Sequence, residues 1–71
     1  MDGQHIENLF RRLKGDVVTI KCSSGASYEG KVVEVTNDYV CVSETSNPQR
    51  QVFLIFTSIE SMSVVEAASR G

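Results

Sequence analysis

The side chains that could do chemistry are few and scattered. One histidine, His5, stands near the start, and two cysteines, Cys22 and Cys41, stand far apart. A structural zinc site ordinarily takes four ligands in close sequence pairs, which one histidine and two distant cysteines do not supply, so neither a metal nor a cofactor is expected. Serines are available, yet no Gly-x-Ser-x-Gly elbow raises one as a nucleophile, and no phosphate loop or dinucleotide fingerprint occurs. An enzyme is therefore not expected. What remains is a run of cations, Arg11, Arg12 and Lys14, beside the polar residues Gln4, His5 and Asn8. Such cations either offset a helix C-terminus, an effect of about 0.3–1 kcal/mol, or form a local patch for a polyanion.

These groups are held by an N-terminal helix. Ile6, Leu9, Phe10 and Leu13 repeat at i, i+3, i+4 and i+7, an amphipathic stripe over residues 2–14. Asp2 can cap its start, and Lys14-Gly15 can end it with glycine in the left-handed region. Gln4, Glu7, Asn8, Arg11 and Arg12 then fall on the solvent side.

From Val17 the period changes to two. Val18, Ile20 and Cys22 point one way and Val17, Thr19 and Lys21 the other, which predicts a first strand that buries Cys22 as a small apolar side chain. Ser23-Ser24-Gly25 supplies a turn. Residues 26–36 read as a long second strand with Gly30 in its interior, where a glycine marks a bend or a close backbone approach. Thr36-Asn37-Asp38 has turn chemistry, and residues 39–43 form a third strand that carries Cys41. Residues 44–49 hold the single proline and form a loop. Residues 51–56 are almost continuously apolar and predict a fourth strand buried on both faces. After a break at Thr57-Ser58, residues 59–65 give a fifth strand anchored by Ile59, Met62 and Val64. Residues 66–71 are expected to be a flexible tail. The fold class is therefore mostly β: a helix, then a strongly bent, five-stranded antiparallel open barrel, in one domain over residues 1–71.

Seventy-one residues bury only a marginal core, so help from oligomerisation is expected. The hydrophobic share is 41% and the charged share 23%, values ordinary for a globular protein. No apolar run approaches the roughly 20 residues of a membrane span, and the N-terminus lacks a signal-peptide pattern, so the cytoplasm is the expected location and no membrane partner is expected. A net charge of −2 gives no general field for nucleic acid; a polyanion site has to be local.

The pattern over residues 17–42 resembles the first motif of the Sm-like (Lsm/Hfq-like) superfamily. It is carried by Val18-Thr-Ile-Lys-Cys22, Ser24-Gly25, Tyr28-Glu-Gly30, the run 32–35 and Asn37-Asp38-Tyr39, and the element order extends the resemblance over nearly the whole chain. It implies a homo-oligomeric ring of five to seven subunits joined by edge strands, and single-stranded RNA as a partner. Tyr39 stands about where the family places a base-stacking aromatic, with Asn37 and Asp38 beside it near the pore, while Arg11, Arg12, Lys14 and Asn8 lie on a face of the ring. In the second motif, Ile55 and Phe56 stand in place of the family's Arg-Gly. Two functions therefore stand: an RNA-binding ring, or an oligomeric Sm-like scaffold that engages protein without RNA.

Overall fold

A computed structural model describes residues 3–67. The helix α1 (Gly3–Arg12) is followed by β1 (Val17–Cys22), β2 (Ser27–Val35), β3 (Tyr39–Glu44), β4 (Gln51–Ile55), a 3-10 turn (Phe56–Ser58) and β5 (Ile59–Glu66). All strand pairs are antiparallel, and the strands lie in the order β4-β3-β2-β1-β5 in one bent, open sheet. β4 and β5 are its two free edges.

The helix ends at Arg12, two residues before the expected residue 14, and Asp2 lies outside the described residues. Leu13 N–H donates to the carbonyls of Leu9 and Phe10, and Gly15 takes φ +93°, the left-handed value that releases the chain. The released segment is spliced onto β2: Gly15 N–H donates to Val32 O at 2.8 Å and Val32 N–H to Asp16 O at 2.9 Å. Asp16 is buried there. The helix is thus fixed to the sheet by backbone bonds as well as by its apolar stripe.

That stripe divides. Phe10 is fully buried and stacks on Phe56, with centroids 5.9 Å apart and planes 7° from parallel, and Ile6 and Leu13 pack beside the core. Leu9, expected on the buried side, is 43% exposed.

The core is built by the alternation in β1 (Val18, Ile20, Cys22) and by Val32, Val35, Val40, Val42 and Leu54 from the next three strands. Complete burial of such side chains contributes about 1.5–3 kcal/mol each. Both cysteines are free and buried, Cys22 inside the core cluster and Cys41 outside it. Burial, and secondarily the Glu34 carboxylate, pushes the Cys41 thiol pKa up.

Gly30 is the pivot of β2. It pairs with Val18 on one side and Glu44 on the other, so β1 and β3 both approach its Cα. A Cβ there would run into the Ser43 carbonyl, with its carbon at 2.9 Å and Glu44 Cα at 3.2 Å.

Three expectations are corrected. β4 is not buried on both faces: Leu54 points inward, whereas Phe53 is 59% and Ile55 58% exposed, because β4 has a strand on one side only and, of its outer side chains, Phe53 meets only the edge of the Tyr39 ring among the aromatic contacts of the described residues. Val64 does not anchor β5; it is 47% exposed at the opposite edge, while Ile59 and Met62 pack partly on the core. Glu66, expected in a tail, pairs with Val17 and ends β5; residues 68–71 lie outside the described part.

Candidate functional site

Asn37, Asp38 and Tyr39 come together at the β2–β3 turn, which is tied by one side chain. Thr36 Oγ1 accepts the N–H groups of Asp38 (3.2 Å) and Tyr39 (3.1 Å), while Thr36 N–H donates to Tyr39 O at 2.9 Å. This is the local Ser/Thr turn chemistry that makes Thr-Asn-Asp a reversal. It leaves the Asn37 and Asp38 side chains exposed at the tip. Asp38 O accepts the Phe56 N–H at 3.0 Å, so the tip leans on the 3-10 turn between β4 and β5. Tyr39 is half-buried, its ring edge-to-face with Phe53 at 5.4 Å and 71°.

The helix residues form a separate group. Asn8 and His5 are exposed, as are Arg11 and Arg12. Arg11 is held by Glu7 one turn earlier, with Nη2 to Oε2 2.7 Å. Lys14 reaches Glu34 on β2 at 3.9 Å. Arg11 and Lys14 therefore each sit beside a carboxylate. Exposed pairs of this kind contribute a few tenths of a kcal/mol and are screened by salt. Among the described residues no cluster of three or more His, Cys, Asp or Glu side chains is placed to hold a metal ion, and no helix is long and apolar enough to cross a membrane.

The second-motif segment has a different use from a ligand grip. Phe56 is only 5% exposed and serves the core through its stack on Phe10. Ser58 Oγ donates to Ile55 O at 2.7 Å, and Ser23 N–H donates to Ser58 O at 2.8 Å, so the 3-10 turn is braced from both sides.

Two surfaces escape sequence reasoning. The first is the apolar edge formed by Phe53 and Ile55 with Tyr39 beside them. Tyr39 stands opposite Ile55, and Cys41 opposite Phe53, in the β3–β4 register. The signal for it was present in the alternation of Gln51, Phe53 and Ile55 against Val52 and Leu54, hidden by every member but Gln51 being apolar. The second is a groove between α1 and β5, lined by Ile6, Leu9, Phe10, Ile59 and Met62 and by the polar Glu60 and Ser61. A depression beside β2 and the end of β3, lined by Tyr28, Glu29, Glu44 and Thr45, carries two carboxylates and is ill-suited to phosphate.

A helix followed by five antiparallel strands in a bent, open sheet, the second strand pivoting on a glycine, defines the Sm-like fold. The chain is similar to the crystal structure of the pleiotropic translational regulator Hfq, with a TM-score of 0.72 and 16% identity over 84% of this chain and 98% of that one. It is also similar to the solution structure of the LSM domain of Dm EDC3 (enhancer of decapping 3), with a TM-score of 0.66 and 21% identity over 83% of this chain and 65% of that one. No family model matches the sequence. No curated protein matches it.

Proposed function

We propose that the protein is a subunit of an Sm-like ring, built by pairing the free β4 edge of one copy with the free β5 edge of the next, and that the ring serves RNA-associated work without catalysis. One observation carries the assembly. Among the described residues the exposed large hydrophobics are Leu9, Phe53, Ile55, Val64 and Val65, and all but Leu9 lie on the two edge strands. Apolar side chains on an unpaired strand edge are an aggregation hazard unless the edge is paired. Two such edges at opposite ends of one sheet make a head-to-tail contact that can close into a ring.

The RNA part of the reading draws on the kind of protein that shares the fold, a translational regulator and an enhancer of decapping. Asn37, Asp38 and Tyr39 are the residues proposed to meet a base, with Arg11, Arg12, Lys14 and Asn8 along the helix as the second contact surface. A base stacked on Tyr39 would contribute roughly 1–3 kcal/mol. The test is titration of labelled U-rich and A-rich oligonucleotides at low and moderate salt. The reading expects binding at low salt that weakens as salt rises, and absence of binding at low salt refutes it.

A second reading, a scaffold that engages protein instead of RNA, is favoured by a specific observation. Of the two residues that stand in place of the family's Arg-Gly, Ile55 is apolar and Phe56 is turned into the core, and Arg11 and Lys14 lie in ion pairs. An assembly that purifies with no 260 nm excess and with a protein partner supports this reading.

A further inference from the structure

The peptide group between Asp38 and Tyr39 is clamped at both ends. Its carbonyl oxygen, on Asp38, accepts the Phe56 N–H at 3.0 Å, and its N–H, on Tyr39, donates to Thr36 Oγ1 at 3.1 Å. A peptide group is planar, so holding its C=O and its N–H fixes the plane that joins the two Cα atoms, and with it how Asp38 and Tyr39 stand relative to one another. A ligand that has to meet both residues binds more tightly when they are held in place beforehand, because less ordering is left to be done on binding.

The two clamps differ in origin. Thr36 belongs to the turn itself, and its hydroxyl supplies the local chemistry of the reversal. Phe56 opens the 3-10 turn after β4, where Ile55 before it offers no side-chain cap. The far end of that turn is braced separately, by Ser23 N–H on Ser58 O and by Ser58 Oγ on Ile55 O. Its first residue is seated by its ring, which is 5% exposed and stacks on Phe10 of α1 at 5.9 Å and 7°. An offset parallel pair of this kind fixes the orientation of both rings as well as burying them.

A line of contacts therefore runs from Phe10 through Phe56 and the Asp38 carbonyl to Tyr39. Phe10 is fully buried and touches no ligand. Asn8, Arg11 and Arg12 lie within two residues of it on the same helix and are exposed. The helix that presents cations on its outer side thus supports, on its inner side, the turn that presents Asp38 and Tyr39.

We propose that Phe10 is a positioning residue for base recognition: through Phe56 and the Asp38 carbonyl it holds Asp38 and Tyr39 in the arrangement that a base of single-stranded RNA meets. The proposal rests on the RNA reading above and deepens it, since it ties the base-contacting turn to the helix that carries the second contact surface.

The test compares labelled U-rich and A-rich oligonucleotides with an abasic strand of the same length, titrated against the full chain at one low salt concentration. The abasic strand keeps the phosphates and has nothing to stack, so the ratio of affinities separates base recognition from attraction to the cations. Stacking on one aromatic ring corresponds to a preference of about 5- to 150-fold for the tighter of the two base-bearing strands. In Phe10→Leu, which keeps an apolar side chain but removes the flat ring, that preference is expected to fall to about a third or less of the parent's. Affinity for the abasic strand is expected to stay within about twofold. Phe56→Leu removes the other half of the stack and is expected to lose the preference in the same way, which covers the case in which Phe10→Leu does not fold. Hydrogen exchange followed by NMR reads the clamp without RNA. In Phe10→Leu the Phe56 amide is expected to exchange about tenfold faster or more relative to the Cys22 amide, whose bond to Ala26 O has no part in the stack. A merely structural role weakens all three strands together and speeds both amides alike, and either result overturns the positioning role. A parent chain that binds none of the strands, or all of them equally, overturns the base-contact reading and the proposal with it; a parent preference that survives both substitutions overturns the positioning role alone.

Discussion

Replacing Gly30 tests the pivot on which the bent sheet depends. In an ordinary strand, alanine is better than glycine by about 0.5–1 kcal/mol, because glycine loses more conformational freedom on folding. At this position the sign should reverse. The added Cβ would meet the Ser43 carbonyl, its carbon 2.9 Å away and Glu44 Cα 3.2 Å away, against the roughly 3.5–4.0 Å of a relaxed carbon contact. Relief requires β3 to move back by about 0.5–1 Å, and β3 is held along its far side by β4 from Tyr39 to Ser43. Overpacking of this kind costs about 1–3 kcal/mol, with Gly30→Ala at the lower end and Gly30→Val at the upper. For a domain of this size each kcal/mol moves the melting temperature by about 4–8 °C, so the two variants should melt roughly 4 to 24 °C below the parent. Circular dichroism melts at one fixed protein concentration measure this, the fixed concentration being needed because assembly itself stabilises. A Gly30→Ala variant that melts at or above the parent would refute the close-approach argument.

Other expectations follow from named contacts. Phe56→Ala removes a buried ring and its stack on Phe10 and should cost about 3–5 kcal/mol in denaturant unfolding; a loss under 1 kcal/mol would show that the 3-10 turn is not anchored there. Phe53→Asp or Ile55→Asp places a charge on the exposed β4 edge, so the fold should persist by circular dichroism while sedimentation shows loss of assembly; an unchanged oligomer would place the interface elsewhere. The Cys41 thiol is raised from the ordinary 9.0 in the folded state by burial and by Glu34, so the native state holds its proton longer than the unfolded chain. The resulting stability is fully present below the unfolded thiol value and falls as pH rises through it toward the raised folded one, and Cys41→Val should flatten that alkaline decline in denaturant midpoints. A wild-type slope retained in Cys41→Val would assign the decline to another group.

The parts of the fold legible in the sequence are those with one physical solution. Val18, Ile20 and Cys22 alternate against Val17, Thr19 and Lys21, and only a half-buried strand satisfies that period. Gly30 stands inside an apolar strand, where close approach of a neighbour is the standing reason for a glycine. The run Phe53-Leu54-Ile55 departs from its expectation because continuous apolarity fits a central strand and an edge strand that awaits a partner equally well; composition does not contain the difference, and topology does. Leu9 and Val64 deviate for the same reason, as both keep the buried period while lying where a single chain runs out of neighbours. In the candidate site, the Thr36-Asn37-Asp38 turn was readable from its local hydrogen-bonding chemistry, whereas the engagement of Tyr39 by Phe53 and of Lys14 by Glu34 depends on contacts between distant strands and elements that no periodicity reports.

The most direct test of the central claim, that the two apolar strand edges exist to meet one another, is the native mass of the purified protein at micromolar concentration, read together with its 260/280 nm ratio. The account predicts a discrete assembly of five to seven copies of the 7.8 kDa chain, with a 260 nm excess that ribonuclease removes if the ring carries RNA. A monomer of 7.8 kDa would contradict it.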